Sequence, residues 1–166
     1  MKNGNAGRLF AALLGLVVLA PAAVAGGKPK VEQKVVLVKG NQEATNSGYT
    51  LGPRDRVTLS VAGKVCFSAG AAPSCVGPGG WGRADYPQSW PDDWNFCADP
   101  VETEAHAALL VDVDGERWPT GDHTTFSGKA GLLYFVVNDC SLTGEYSNTG
   151  QYSVVVKVER DAVPQP

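Results

Sequence analysis

Apolar and polar residues alternate with a period of two at two places in this chain. Val57, Leu59 and Val61 are separated by Thr58 and Ser60, and Tyr152, Val154, Val156 and Val158 run among Ser153, Lys157 and Glu159. Side chains on a strand point to opposite faces in turn, so each run predicts a strand with one buried face. Three other stretches, Val35 to Val38, Ala107 to Val113 and Leu132 to Val137, are near-continuous apolar runs. They are short, and the latter two, rich in Val, Leu and aromatic residues, are bounded by Gly, Asp or Asn, which predicts buried strands rather than helices. No stretch of the chain after the N-terminal segment holds a helical period.

Turn chemistry separates these runs. Gly52-Pro53-Arg54-Asp55 precedes the first alternating strand, and Asp114-Gly115 ends the Ala107 to Val113 run. The long exception is Ser68 to Thr103, which places Trp81, Tyr86, Trp90, Trp94 and Phe96 among Gly, Pro and Asp. Disordered segments are poor in aromatic residues, so the expectation is an ordered surface loop. Many short strands joined by Gly- and Asn/Asp-rich turns predict an all-β fold, a single antiparallel β-sandwich or barrel.

The N-terminus follows a different pattern. Lys2 and Arg8 flank an apolar stretch from Leu9 to Ala20, and Ala23-Val24-Ala25 then offers an A-x-A cleavage site before Gly26-Gly27. This is the order of a secretory signal peptide. A spanning helix needs roughly 20 continuous apolar residues, and Pro21 interrupts this run. The expected organisation is a signal peptide over 1–25, a short linker over 26–34, one sandwich domain over 35–160 and a tail over 161–166. The destination is the periplasm or the exterior.

Composition narrows the classes of partner. The chain carries 14 Lys and Arg against 17 Asp and Glu; removal of Lys2 and Arg8 leaves 12 against 17, a net charge of −5. With no basic cluster or basic amphipathic stretch, the sequence argues against nucleic acid and anionic lipid as partners. Cys66, Cys75, Cys97 and Cys140 all follow the cleavage site. An even count in an oxidising compartment implies two disulfides, with three pairings open. The easily turned stretch between Cys66 and Cys75 favours that pair, leaving Cys97 for Cys140. A four-Cys metal site wants close Cys-x-x-Cys pairs, which are absent.

Little of the sequence suggests catalysis. His106 opens an apolar strand and reads as structural, and His123 lies in a Gly-Asp-His-Thr-Thr turn. There is no Gly-x-Ser-x-Gly elbow and no His-Glu-x-x-His. The carboxylate pairs Asp92-Asp93 and Asp112/Asp114 could suggest glycoside hydrolysis, but Asp112 and Asp114 end a strand at a turn, which a solvated edge explains better. The expectation is therefore no enzyme. Trp81, Trp90 and Trp94 could stack on sugar rings or pack inward beneath the long loop.

The order of several short motifs resembles a known family. Asn46-Ser47-Gly48-Tyr49-Thr50-Leu51 leads into Gly52-Pro53-Arg54-Asp55-Arg56-Val57, followed by Gly79-Gly80-Trp81 and Tyr86-Pro87. His106 to Leu110 and Gly131 to Tyr134 come next, and then Val137-Asn138-Asp139 and Asn148-Thr149-Gly150-Gln151-Tyr152-Ser153-Val154. From about Val35 to Val158 this series resembles the calcium-dependent galactose-binding bacterial lectins of pseudomonads and related galactose-binding-like sandwich domains. The resemblance implies a jelly-roll-like β-sandwich with one Ca2+ at its edge, the ion bridging protein and two sugar hydroxyls. It implies Asp139 as the charged ligand, the Asn148 side-chain amide, and the carbonyls of Thr143 and Phe67. Tyr86-Pro87 falls where the family has a His-Pro pair touching sugar, and Trp81 and Asp139 join it as ligand-binding candidates.

The sequence also departs from the family. Ser147 stands where family members carry Asp or Asn, with Glu145 as an acid that could compensate. The loop from Asp139 to Gly150 is one residue longer, and Tyr86 and Ser89 replace His and Gln, so a preference for galactose does not carry over. The function implied is an exported, non-enzymatic, lectin-like carbohydrate-binding protein with Ca2+ as cofactor, and oligomerisation would strengthen weak sugar sites. The alternative is an exported structural or protein-interaction sandwich without the calcium and sugar site.

Overall fold

The computed structural model describes residues 28–69, 72–81, 99–139 and 148–160. Nine strands and no helix occur among them: β1 (Lys30–Lys39), β2 (Thr45–Leu51), β3 (Arg56–Ala69), β4 (Ala72–Val76), β5 (Leu109–Val113), β6 (Glu116–Pro119), β7 (His123–Ser127), β8 (Gly131–Val137) and β9 (Thr149–Arg160). They form two antiparallel sheets. One runs β1-β9-β3-β4, with β7 also paired to β3, and the other runs β2-β8-β5-β6. This is the all-β sandwich that the alternating runs predict.

β3 and β9 form the spine of the first sheet, in register from Arg56↔Glu159 to Cys66↔Thr149. The far edge of β3 is shared, since β7 pairs with Arg56 to Ser60 and β4 with Val65 to Ala69. Val57, Leu59 and Val65 of β3 and Tyr152, Val154, Val156 and Val158 of β9 are fully buried. They meet Leu109, Val111, Leu133, Phe135 and Val137 of the facing sheet in one core. Burial of each such side chain contributes about 1.5–3 kcal/mol.

The continuous apolar runs have a separate explanation. Every residue of β5 is buried, because odd-numbered residues face the main core while Leu110, with Ala108 and Val136, forms a second cluster on the other side. Val101 and Ala105 cover that cluster. A strand apolar on both faces is one covered on both faces.

Several boundaries differ from the sequence reading. β1 begins at Lys30 and pairs with β9 throughout, Lys30↔Arg160 to Lys39↔Gln151, so residues 30–34 of the expected linker are strand. Their polar residues hide this, because this edge strand has one solvent face. β3 runs on to Ala69 and β4 follows, so the start of the long segment from Ser68 is a hairpin, not irregular loop. Cys66 and Cys75 are register partners in that hairpin and form a disulfide, the pairing the sequence favours. Closing so short a loop contributes about 2–3 kcal/mol by restricting the unfolded chain. Cys97 and Cys140 lie outside the described residues, as do the expected signal peptide and tail. Asp112 is not on a solvated edge but 8 % exposed. It accepts hydrogen bonds from Gly115 N at 2.9 Å and Arg117 Nε at 2.7 Å, closing the β5–β6 turn.

Candidate functional site

β8 is followed by two polar residues that are as deeply buried as the core. Asn138 is 0 % and Asp139 1 % exposed. Asp139 N–H donates to Val137 O at 2.8 Å, a three-residue turn that stops the strand and turns the chain. Asn138 accepts from Val101 N–H at 2.9 Å and donates from Nδ2 toward Val101 O, Glu104 O and Ala105 O at 3.1–3.3 Å. One amide thus clamps the segment that covers Leu110 and Val136, and its neighbour Asp139 is held at the end of the sandwich.

Three side chains from other parts of the chain converge with Asp139. Asn148, just before β9 and 2 % exposed, donates from Nδ2 to Asp139 Oδ2 at 2.8 Å and to Gly40 O at 3.2 Å. Its Oδ1 is buried and has no hydrogen-bond partner. The imidazole of His106 lies between two carboxylates, Nδ1 at 3.1 Å from Asp99 Oδ1 and Nε2 at 3.4 Å from Asp139 Oδ2. Burial opposes charge on this ring, but the Asp99 hydrogen bond and the negative charges of Asp139 and Asp99 outweigh it and raise the His106 pKa. The ring therefore holds a proton more readily than a free histidine does.

Backbone geometry builds the rest of this end. The β3–β9 ladder stops at Cys66↔Thr149, which leaves Phe67 and Asn148 next along the two strands. Gly40, which follows β1, donates from N–H to Gly150 O at 3.1 Å. Trp81 and His106 exchange backbone hydrogen bonds at 2.8 and 3.1 Å, fixing His106 in place. An open depression lined by Lys39, Asn41, Asn148, Thr149, Gly150 and Gln151 lies beside the Asp139–Asn148 pair.

The structure thus brings together Asp139 and Asn148, and the Phe67 backbone follows the last β3–β9 pair, Cys66↔Thr149. Trp81 is half-buried and packs against the main core, the inward alternative of the sequence reading. Tyr86, Pro87 and Thr143, with Ser147, Trp90 and Trp94, lie outside the described residues. Two members of the cluster escape sequence reasoning. His106 reads as an ordinary strand-opening residue, and Asp99 carries no signal beyond its proximity in sequence to His106.

This donor set suits a hard cation. Ca2+ takes carboxylate, amide and carbonyl oxygens, and a buried carboxylate beside a buried amide oxygen with no partner is such a pair. Asp99, His106 and Asp139 also each offer a ligand atom within 4.8 Å of the others, although the ion pairing of His106 accounts for that grouping without a metal.

No family profile and no curated protein matches the sequence. Among solved structures, the chain is similar to the N-terminal domain of EclA, described as a PllA-like lectin. The TM-score is 0.53 at 23 % identity, over 75 % of this chain and 95 % of that one. The two-sheet sandwich described here is therefore the fold of a PllA-like lectin domain, as the resemblance in the sequence implies.

Proposed function

We propose that the protein is a non-enzymatic, exported carbohydrate-binding protein that holds sugar at the Asp139–Asn148 end of its sandwich through a bound calcium ion. The observation that carries this reading is the buried, unpartnered Oδ1 of Asn148 beside the buried carboxylate of Asp139. An unpaired buried acceptor costs about 1–3 kcal/mol, and a cation would supply what it lacks. Asp139 and Asn148 would hold the ion with the carbonyls of Phe67 and Thr143. Once bound, Ca2+ can exchange waters for vicinal sugar hydroxyls. Lys39, Asn41 and Gln151, around the adjoining depression, would supply polar groups for the remaining hydroxyls, and Tyr86 and Pro87 are the residues that the family resemblance assigns to the sugar. The lectin description of the similar EclA domain agrees with this reading, and the N-terminal pattern supports export.

A second reading is favoured by His106. With Nε2 at 3.4 Å from Asp139 Oδ2, the His106 imidazole faces the carboxylate without a metal, as expected of an exported sandwich that serves as a structural or interaction module. Calcium titration separates the two. A ligand bound only by the native state stabilises it by about 2.7 kcal/mol at a hundredfold excess over Kd, so the melting temperature should rise by several degrees in millimolar calcium. No rise removes the calcium-bridged mechanism. A glycan array run with and without chelator then tests the sugar: binding that survives chelation assigns it to the aromatic loop.

A further inference from the structure

The outward face of the first sheet carries a row of cations at the Asn148 end. Lys39 of β1 and Lys64 of β3 are both register partners of Gln151 in β9, so the three side chains lie side by side across adjacent strands. Each neighbours a fully buried residue, Val38, Val65 and Tyr152 respectively, which puts the row on the face turned away from the core. All three residues are exposed. The backbones of the two lysines are two strand spacings apart, about 10 Å. Other lysines are engaged: Lys30 pairs with Glu32, Lys129 with Glu116 and Lys157 with Glu159, and Lys34 lies over the Tyr49 ring. Among the described residues neither Lys39 nor Lys64 has an ion-pair partner. Glu159, which shares this face of β9, is at the far end of that strand, about 26 Å from Gln151 at roughly 3.3 Å per residue.

This row borders the candidate sugar site. Lys39 and Gln151 line the depression beside Asn148, which holds about 360 Å³, within the range of roughly 300–1,000 Å³ of small-molecule sites. Its described lining includes a cation and no acid. We propose that this end of the protein selects acidic glycans, the anionic group of the sugar, a carboxylate or a sulfate ester, being held by Lys39 and Lys64 on either side of the Gln151 amide. The proposal rests on the sugar reading of the Asp139–Asn148 end and names the class of sugar. Lysine suits the role as a point charge on a flexible four-carbon stem, so two ammonium groups that start about 10 Å apart can meet one anion placed over Gln151. The Gln151 amide has two N–H donors for the same anion or for a neighbouring hydroxyl. A neutral sugar gains nothing from the charge of either lysine. The chain as a whole carries a net charge of −3, so the preference belongs to this row and not to a general attraction for anions.

The test is a glycan array on the purified chain, in millimolar calcium and in chelator, carrying matched oligosaccharides that end in a hexose, a hexuronic acid or a sulfated hexose. At least one acidic member should bind more tightly than its neutral counterpart, and the uronate and sulfate arms identify the anion. Lys39→Gln and Lys64→Gln remove the charge at exposed positions, and each should lower the ratio of acidic to neutral binding about threefold to fivefold. Lys39→Glu should reverse the preference. Lys30→Gln, the same loss of charge at the other end of β1, should leave the ratio unchanged. Equal binding of neutral and acidic members overturns the proposal and leaves the calcium-bridged sugar reading standing. So does an acidic preference that the Lys39 and Lys64 variants lower no more than Lys30→Gln does. Acidic binding that persists in chelator and still falls in both variants upholds the lysine row and removes the calcium bridge. Binding to no member overturns both.

Discussion

Asn148 donates to Asp139 Oδ2 across 2.8 Å, tying the start of β9 to the residue just beyond β8 at a point where both side chains are buried. The amide is oriented with its nitrogen toward the carboxylate and its oxygen unpartnered. That orientation leads to a prediction with opposite signs in the two states of the site. Asn148→Asp should destabilise the protein in chelator by about 1–3 kcal/mol, because it sets two buried carboxylates together and removes the donor to Gly40 O. Saturating calcium should recover most of that loss. Melting curves with calcium and with chelator check it, and an equal deficit in both would place the ion elsewhere. Asp139→Ala should abolish stabilisation by calcium.

The clamp formed by Asn138 is a matter of stability. Asn138→Ala removes the acceptor of Val101 N–H and the donor to three carbonyls. We expect a loss of about 2–4 kcal/mol, read as a lower urea midpoint. Hydrogen exchange should rise first in residues 101–108. Asn138→Asp should not rescue it, since a carboxylate keeps the acceptor but has no hydrogens for those carbonyls.

Gly40 has no room for a side chain. A Cβ there would lie 2.8 Å from Val65 Cγ1, 3.1 Å from Asn148 Cβ and 3.1 Å from Thr149 O. Gly40→Ala should therefore cost about 1–3 kcal/mol through overpacking. Because one of the displaced atoms belongs to Asn148, it should also weaken calcium stabilisation, whereas an equally destabilising change far from this end, such as Leu59→Val, should not. Comparing the calcium-induced melting shift of the two variants makes the distinction.

Tyr152 is a core residue with a polar task. Its hydroxyl donates to Ala107 O at 2.9 Å, with Gly77 O at 3.0 Å also in reach. Burial pushes the phenol pKa well above its ordinary value, so it remains a neutral donor. Ala107 has a left-handed backbone, φ 57°, and this bond helps hold it. Tyr152→Phe conserves the ring but should lower stability by about 1–2 kcal/mol in denaturant unfolding.

The sequence by itself determined the class of fold and much of its core. Val57, Leu59 and the Tyr152 to Val158 series announce their buried face because every second side chain of a strand shares a surface, and that periodicity survives any change of partner. Cys66 and Cys75 were legible as a pair because a short turn alone brings them together. β2 was not, since its inward positions are Ser47, Tyr49 and Leu51 and its pairing with β8 is interrupted by a register shift between Asn46 and Thr50. Nor were the five polar-rich residues at the start of β1, β6 or β7. Asp139 and Asn148 stood out only through the motif resemblance. That Asp99 and His106 meet Asp139, and that an Asn148 oxygen is left without a partner, only the tertiary structure decided. These contacts join residues seven to more than thirty positions apart. Local alternation records which face of a strand is buried, but not which distant strand end or loop the fold places beside it.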